Sequence, residues 1–194
     1  LKDKNLTDMG IIIDEERITT QKTRIISDNQ HLLRVDEEME YEISSGSEDK
    51  LISFIREIIN KKSVQSVLFQ DYDKGVITQR LIEEVVKMAN SAKIPVLVDP
   101  KKRNFLSYKK VSFFKPNFKE LKEGLKADVE KSDLKEVASI MEEFRKEQSI
   151  KTIMLTLSEL GIIVNYRNAY HHFAAEIRDI TDVSGAGDTV ISVA

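Results

Sequence analysis

The sequence contains no cysteine, which excludes disulfides and thiol catalysis and is compatible with a reducing compartment. No apolar run approaches the roughly 20 residues that a membrane-spanning helix needs, and no signal-peptide pattern opens the chain. No basic block stands out. The net charge is −3 with both signs interspersed, which argues against nucleic acid as a partner. Internal repeats and low-complexity segments are absent. Histidine is scarce, with three in the chain; His171 and His172 fall in an expected hairpin without partner spacing for zinc and are assigned a structural role. What is present is an ordinary globular balance of 41% hydrophobic and 32% charged residues over 194 positions, enough for one domain with a real core. The expectation is a soluble, cytoplasmic protein that binds neither nucleic acid nor membrane.

The hydrophobic period changes near Ser47. Before it, "GIIID", "ITTQKTRIIS" and "HLLRVD" are rich in β-branched residues and read as strands, with "SDNQ" as a turn. After it, "EDKLISFIREIINKK" places Leu51, Ile55, Ile58 and Ile59 on one helical face, with acids in its first turn and lysines in its last. Apolar strands such as "SVLFQ", "PVLVDP", "VSFFKP" and "KTIMLTL" then alternate with helical patterns such as "TQRLIEEVVKMANSA" and "SDLKEVASIMEEFRKEQ". "GIIVNY" and "AYHHFAA" read as a closing hairpin. Alternating strands and helices predict right-handed crossovers and a mainly parallel sheet. The first strands, with no helices between them, predict a separate antiparallel lid. Residues 1–46 are therefore taken as lid and connections and 47–194 as an α/β core, with a hinge around "EISSGSED".

Ligands of open parallel sheets bind at the carboxyl ends of the strands, so the polar residues there carry the functional question. In "DVSGAGD", glycines at a helix start leave backbone N–H groups open to an anion, and Asp188 follows within the first turn, placed to accept a proton from an attacking hydroxyl. The same five residues also fit a glycine turn with an ordinary first-turn acid. "PNFKE" admits two readings. Asn117 and Glu120 fit a capping box, and they equally fit a site that organises magnesium and its waters beside phosphates. "VDPKKRNF" sets Asp99 past a buried strand with Lys101, Lys102 and Arg103 beyond, and "QDYDKG" sets Asp71 and Lys74 at another strand end; both also fit solvated loops.

The order of these segments resembles a known family. "DVSGAGDTV" is similar to the C-terminal signature of the PfkB (ribokinase-like) carbohydrate kinases, "KPNFKE" to their asparagine–glutamate motif and "TLSELG" to their nucleotide-loop segment. "TTQKTRIISDNQHLLRVDEE", "DYDKGV" and "VDPKKRNF" resemble, more specifically, the D-glycero-β-D-manno-heptose-7-phosphate kinases, which many bacteria fuse to an adenylyltransferase of ADP-heptose synthesis. The resemblance implies a ribokinase-like α/β sandwich of three layers with a small β lid. It implies ATP and Mg2+ as cofactors, with K+ as a further ion, and a sugar phosphate as substrate. By that resemblance Asp188 is the base toward the sugar C1 hydroxyl, and Gly185, Ala186 and Gly187 form the anion hole. Asn117 and Glu120 serve magnesium and the phosphates, while Lys101, Thr156, Ser158 and Gly161 lie at the nucleotide. Asp182 marks a monovalent-cation position. Lys22, Arg24, Gln30 and Arg34 in the lid, with Lys74, meet the sugar phosphate. Ser158 stands where many relatives have glycine. The family's N-terminal region and its closing C-terminal helices have no counterpart here, so the expectation is a fragment of a larger kinase. A homodimer through the exposed lid strands is also expected.

Overall fold

The computed structural model describes residues 7–27, 30–176 and 185–193. The period change near Ser47 marks a real transition. Helix α1 (Ser45–Asn60) begins there, with Ser44 accepting from the Ser47 N–H as N-cap. Its apolar stripe buries Ile52 and Ile59. Lys61 and Lys62 fall just past its end, so its last turn carries no base, unlike the expectation. The boundary drawn at residue 46 lies within its first turn.

Downstream the expected alternation appears as β3 (Val67–Gln70), α2 (Gln79–Ser91), β4 (Val96–Asp99), β5 (Phe113–Phe114), α3 (Phe118–Leu125), α4 (Leu134–Glu147) and β6 (Thr152–Thr156). After it come a 3-10 turn (Ser158–Leu160), β7 (Ile162–Tyr166), β8 (Ala169–Phe173) and α5 (Ala186–Val193). One six-stranded sheet runs β3-β4-β5-β6-β7-β8, parallel from β3 to β6 and antiparallel through the β7–β8 hairpin. Along the strands one set of alternate side chains, Phe69, Val98, Phe114, Ile153 and Ile163, is buried. The other set, Leu68, Leu97, Phe113 and Met154, is only partly covered among the described residues.

The loop from β4 to β5 contains no helix yet contributes to the core. Phe105 and Tyr108 are buried there, with the Phe105 ring 5.1 Å from Phe114 and 5.3 Å from Phe144. The Tyr108 hydroxyl donates to buried Asp71 at 2.8 Å, and Asn104 donates to the same carboxylate at 3.1 Å. Asp71 also accepts the Asp73 N–H at 2.8 Å, so this strand-end acid anchors the 71–75 loop rather than opening to solvent.

The lid strands are β1 (Gln21–Ser27) and β2 (Gln30–Glu37), an antiparallel two-stranded sheet apart from the main one. A register shift falls between Ile25 and Ile26. The expected strand at "GIIID" is a correction: residues 8–20 contain no strand. The segment turns at 8–11 and 14–17. Arg17 ties it to the carbonyls of Tyr41 at 2.6 Å and Lys74 at 2.5 Å, and a Cβ at Gly10 would meet the Phe54 ring. A β-branched run becomes a strand only where an edge is offered to it, and here side-chain anchoring holds the chain instead.

Candidate active site

Register builds the site. Gln70 and Asp99 are paired residues at the carboxyl ends of β3 and β4, so their side chains emerge on the same, partly covered face. Lys115, one residue past β5, donates its N–H to the Val98 carbonyl at 2.9 Å and extends this row. Its ammonium lies 3.1 Å from Asp99 Oδ1, and both side chains are nearly buried, at 4% and 6% exposure. The Gln70 amide donates to Asp99 Oδ2 at 3.0 Å.

Helix α5 lies across this row. Gly185 precedes it at φ +76° with open space where a Cβ would stand, so its glycine is required by conformation. At Gly187 a Cβ would come 3.6 Å from the Lys115 ammonium nitrogen, which makes the glycine turn the neighbour of a buried cation. Asp188 is exposed in the first turn of α5. Its Oδ1 accepts from the Gln70 amide at 3.0 Å and its Oδ2 from the Tyr72 hydroxyl at 3.4 Å. Partial burial, then the Asp188 charge, pushes the Tyr72 phenol up from its ordinary value, keeping it a proton donor at neutral pH.

Asn117 and Glu120 form a complete capping box at the start of α3. Asn117 Oδ1 accepts the Glu120 N–H and Glu120 Oε2 accepts the Asn117 N–H, each at 2.8 Å. The remaining carboxylate oxygen pairs with the Lys101 ammonium. Burial lowers the Lys101 pKa, but the hydrogen bond and charge of Glu120, with Asp99 and Asp71, outweigh it and leave it raised. Capping and the Lys101 pair thus each engage one oxygen of the buried Glu120 carboxylate. Thr156 is drawn to Asn117 by an isolated parallel bridge.

Thr156, Ser158 and Gly161 line one cavity of about 550 Å3 together with Gly187, Ile162, Phe173 and Val190. Ser158 adopts φ +53° and Gly161 φ +86°. A Cβ at Gly161 would stand 2.0 Å from the Phe173 carbonyl oxygen, so glycine is obligatory there. A second cavity of about 800 Å3 is lined by Lys22, Lys74, Gln70, Asp71 and Tyr72 with an apolar wall from α1, β3 and α2. The Gly187–Asp188 turn thus adjoins both cavities, the first through Gly187 and the second through the Gln70 and Tyr72 contacts.

The lid cations are less free than their spacing suggests. Lys22 bonds Asp36 at 3.1 Å and Glu38 at 3.2 Å; Lys74 bonds Glu38 at 2.5 Å and Glu40 at 3.0 Å. Arg34 bonds Asp36 at 3.0 Å and faces Arg24 across the hairpin. Lys22 and Lys74 are therefore brought together around Glu38, whose carboxyl is held below the usual range first by the Lys74 hydrogen bond. The Gln30 side chain and Asp182 lie outside the described residues.

Sequence reasoning passed over Gln70, Tyr72 and Lys115. Each lies inside a segment it did single out, "QDYDKG" or "KPNFKE", but which strand-end residues share a face depends on register. Among the described residues no cluster of three or more His, Asp or Glu side chains could hold a metal directly, and no helix is long and apolar enough to cross a membrane.

Parallel strands ending in a polar row, a glycine turn opening a helix over it and a detached hairpin define a ribokinase-like fold. Its solved neighbours share this architecture. A tetrameric inhibited form of Escherichia coli phosphofructokinase-2 superposes with TM-score 0.72 at 13% identity, over 90% of this chain and 56% of that one. The same enzyme in complex with potassium gives TM-score 0.67 at 13% identity, over 82% and 51%. The chain belongs to the pfkB family of carbohydrate kinases, whose model matches residues 1–194. It is 38% identical over 193 residues to the bifunctional protein HldE of Wolinella succinogenes, covering 99% of this chain and 40% of that relative.

Proposed function

We propose that this chain carries the phosphoryl-transfer site of an ATP-dependent sugar kinase acting on the C1 hydroxyl of D-glycero-β-D-manno-heptose 7-phosphate, in ADP-heptose synthesis in the cytoplasm. The observation that carries the reading is the position of Asp188: a carboxylate that follows Gly187, which lines one cavity and neighbours the buried Lys115 ammonium, and that accepts from Gln70 and Tyr72, which line the other. The similarity to a bifunctional HldE over nearly the whole chain supports the heptose assignment.

On this reading ATP occupies the cavity of Thr156, Ser158 and Gly161, and the sugar phosphate occupies that of Lys22 and Lys74, with Arg24, Gln30 and Arg34 closing from the lid. Asp188 accepts the hydroxyl proton as attack proceeds. The N–H groups of Gly185, Ala186 and Gly187, with Lys115 behind them, stabilise charge on the transferring group. Glu120 and Lys101 border the phosphates, and the Glu120 carboxylate is the proposed acceptor for water bound to Mg2+. When bound, Mg2+ neutralises phosphate charge. Asp182 is the proposed contact for K+, supported by a potassium complex of a family fold neighbour. Homodimerisation would use the hairpin, whose Ile26, Leu32 and Leu33 are more than half exposed.

A second reading is favoured by one observation. Lys22 and Lys74 are already neutralised by Asp36, Glu38 and Glu40, and such carboxylates suit sugar hydroxyls rather than a distal phosphate. A family kinase for an unphosphorylated sugar or a nucleoside, or a non-catalytic module that binds such ligands, would follow. Turnover of heptose 7-phosphate against free heptose, ribose and fructose by the full-length polypeptide separates them: strong preference for the phosphorylated sugar supports the first reading, and equal turnover supports the second.

A further inference from the structure

Gln70 bridges two acids, one at the carboxyl end of β4 and one in the first turn of α5. Its single amide nitrogen donates to two carboxylates, Asp99 Oδ2 and Asp188 Oδ1, both at 3.0 Å. An amide nitrogen carries two hydrogens, so each carboxylate receives one. The opposite amide orientation would aim a carbonyl oxygen at two anions and is excluded by repulsion. Asp99 in turn is fixed from its other oxygen by the buried Lys115 ammonium at 3.1 Å. Strand pairing sets Gln70 beside Asp99, so the row is part of the sheet and not a chance surface contact. Lys115, Asp99, Gln70 and Asp188 form a continuous chain of hydrogen bonds from the sheet to the first turn of α5.

We propose that Gln70 is a positioning residue for Asp188: held by the Lys115–Asp99 pair, its amide fixes the rotamer of the Asp188 carboxylate and directs the free lone pairs of that carboxylate toward the acceptor hydroxyl. This inference rests on the reading of Asp188 as the general base. A base must be held within hydrogen-bond reach of the proton it removes, and small misplacement is costly to rate. The Tyr72 hydroxyl at 3.4 Å is a longer contact on the other oxygen, which leaves Gln70 as the principal orienting donor. Among the described residues, the charged and titratable groups facing this point are Asp99 and Lys115 from the sheet row, Lys101 from the following loop and the Tyr72 phenol.

The test uses the full-length polypeptide with ATP, Mg2+ and heptose 7-phosphate, comparing wild type, Asp188→Asn, Gln70→Leu and Gln70→Glu. Gln70→Leu should lower kcat at least about tenfold while KM for ATP stays within about threefold, because orientation is lost and the nucleotide cavity is untouched. Gln70→Glu keeps the shape but sets a negative charge between two carboxylates, so the acidic limb of its kcat profile should move up by about one pH unit. That shift reports only that residue 70 lies beside the base, so the loss of kcat with KM for ATP kept in Gln70→Leu is the readout of positioning. If Gln70→Leu does not fold, Gln70→Met, which also lacks the amide donor, takes its place. Wild-type kcat in folded Gln70→Leu, or an unmoved acidic limb in Gln70→Glu, overturns the positioning role while Asp188→Asn remains impaired. An active Asp188→Asn removes Asp188 as the base and this inference with it, whereas a wild type inactive on heptose 7-phosphate removes the heptose reading on which the inference rests.

Discussion

Lys115 and Asp99 form an ion pair in which neither side chain exceeds 6% exposure, with Nζ and Oδ1 3.1 Å apart. Burying two charges is costly, and removing one partner leaves the other uncompensated. Lys115→Met should therefore destabilise the protein by about 3–5 kcal/mol, and the added Asp99→Leu change should recover much of that loss. Urea unfolding of the three proteins measures both. A loss under about 1 kcal/mol in the single variant would show that Asp99 is relieved by water.

Two glycines give opposite expectations. Gly75 adopts φ +74°, and a Cβ there would stand 1.9 Å from the Tyr41 carbonyl oxygen. Gly75→Ala should cost at least about 1–3 kcal/mol, and it should loosen the 71–75 loop that carries Lys74. Gly46, in the first turn of α1, has nothing within 4 Å of a Cβ. Gly46→Ala should be neutral or stabilising by up to about 1 kcal/mol. Thermal denaturation of the pair checks the contrast; equal effects would contradict it.

Acid should release one defined clamp. The Arg145 guanidinium grips Glu142 with two bonds, 2.7 and 2.8 Å, and Lys146 adds a third contact at 3.3 Å. The Arg145 hydrogen bonds, against partial burial, hold the Glu142 carboxyl at about 2 from a normal 4.5. A depressed folded pKa means stability that is present above about pH 4.5 and lost as pH falls toward 2. Glu142→Gln should cost about 1.5–3 kcal/mol at pH 7, where charged hydrogen bonds are lost. The gap to wild type should close on approaching pH 2, as followed by urea unfolding across pH. A gap independent of pH would refute the clamp.

The two roles of Glu120 can be separated. Its cap on α3 and its pair with Lys101 are structural, and a lost cap costs about 0.5–2 kcal/mol. If Glu120 also serves the phosphates, Glu120→Gln should reduce Mg2+-dependent turnover of the folded protein by far more than that stability change accounts for. Unchanged specific activity of the folded fraction would leave only the cap.

Periodicity carried most of the architecture. The crossover helices were legible because their apolar stripes recur at helical spacing, and the parallel strands because short apolar runs such as "VLFQ" and "VLVD" end in polar residues. "GIIID" misled for the same reason, since β-branched residues state a preference without supplying a partner edge. The glycine turn and Asp188 were legible as a local pattern. The Gln70–Asp99–Lys115 row was not, because its members are 29 and 16 positions apart in sequence and meet only through strand register. The neutralisation of Lys22 and Lys74 by Glu38 was hidden likewise, as it depends on how the hairpin returns to the core.

In the proposed reaction everything depends on Asp188 as the proton acceptor. Asp188→Asn preserves the shape of the side chain and removes its basicity, leaving the glycine turn, Lys115 and both cavities in place. Measured on the full-length polypeptide with heptose 7-phosphate, kcat should fall at least about 100-fold while ATP affinity stays within about threefold. Near-normal turnover in that variant would contradict the account and leave Asp188 as an ordinary acid in the first turn of a helix.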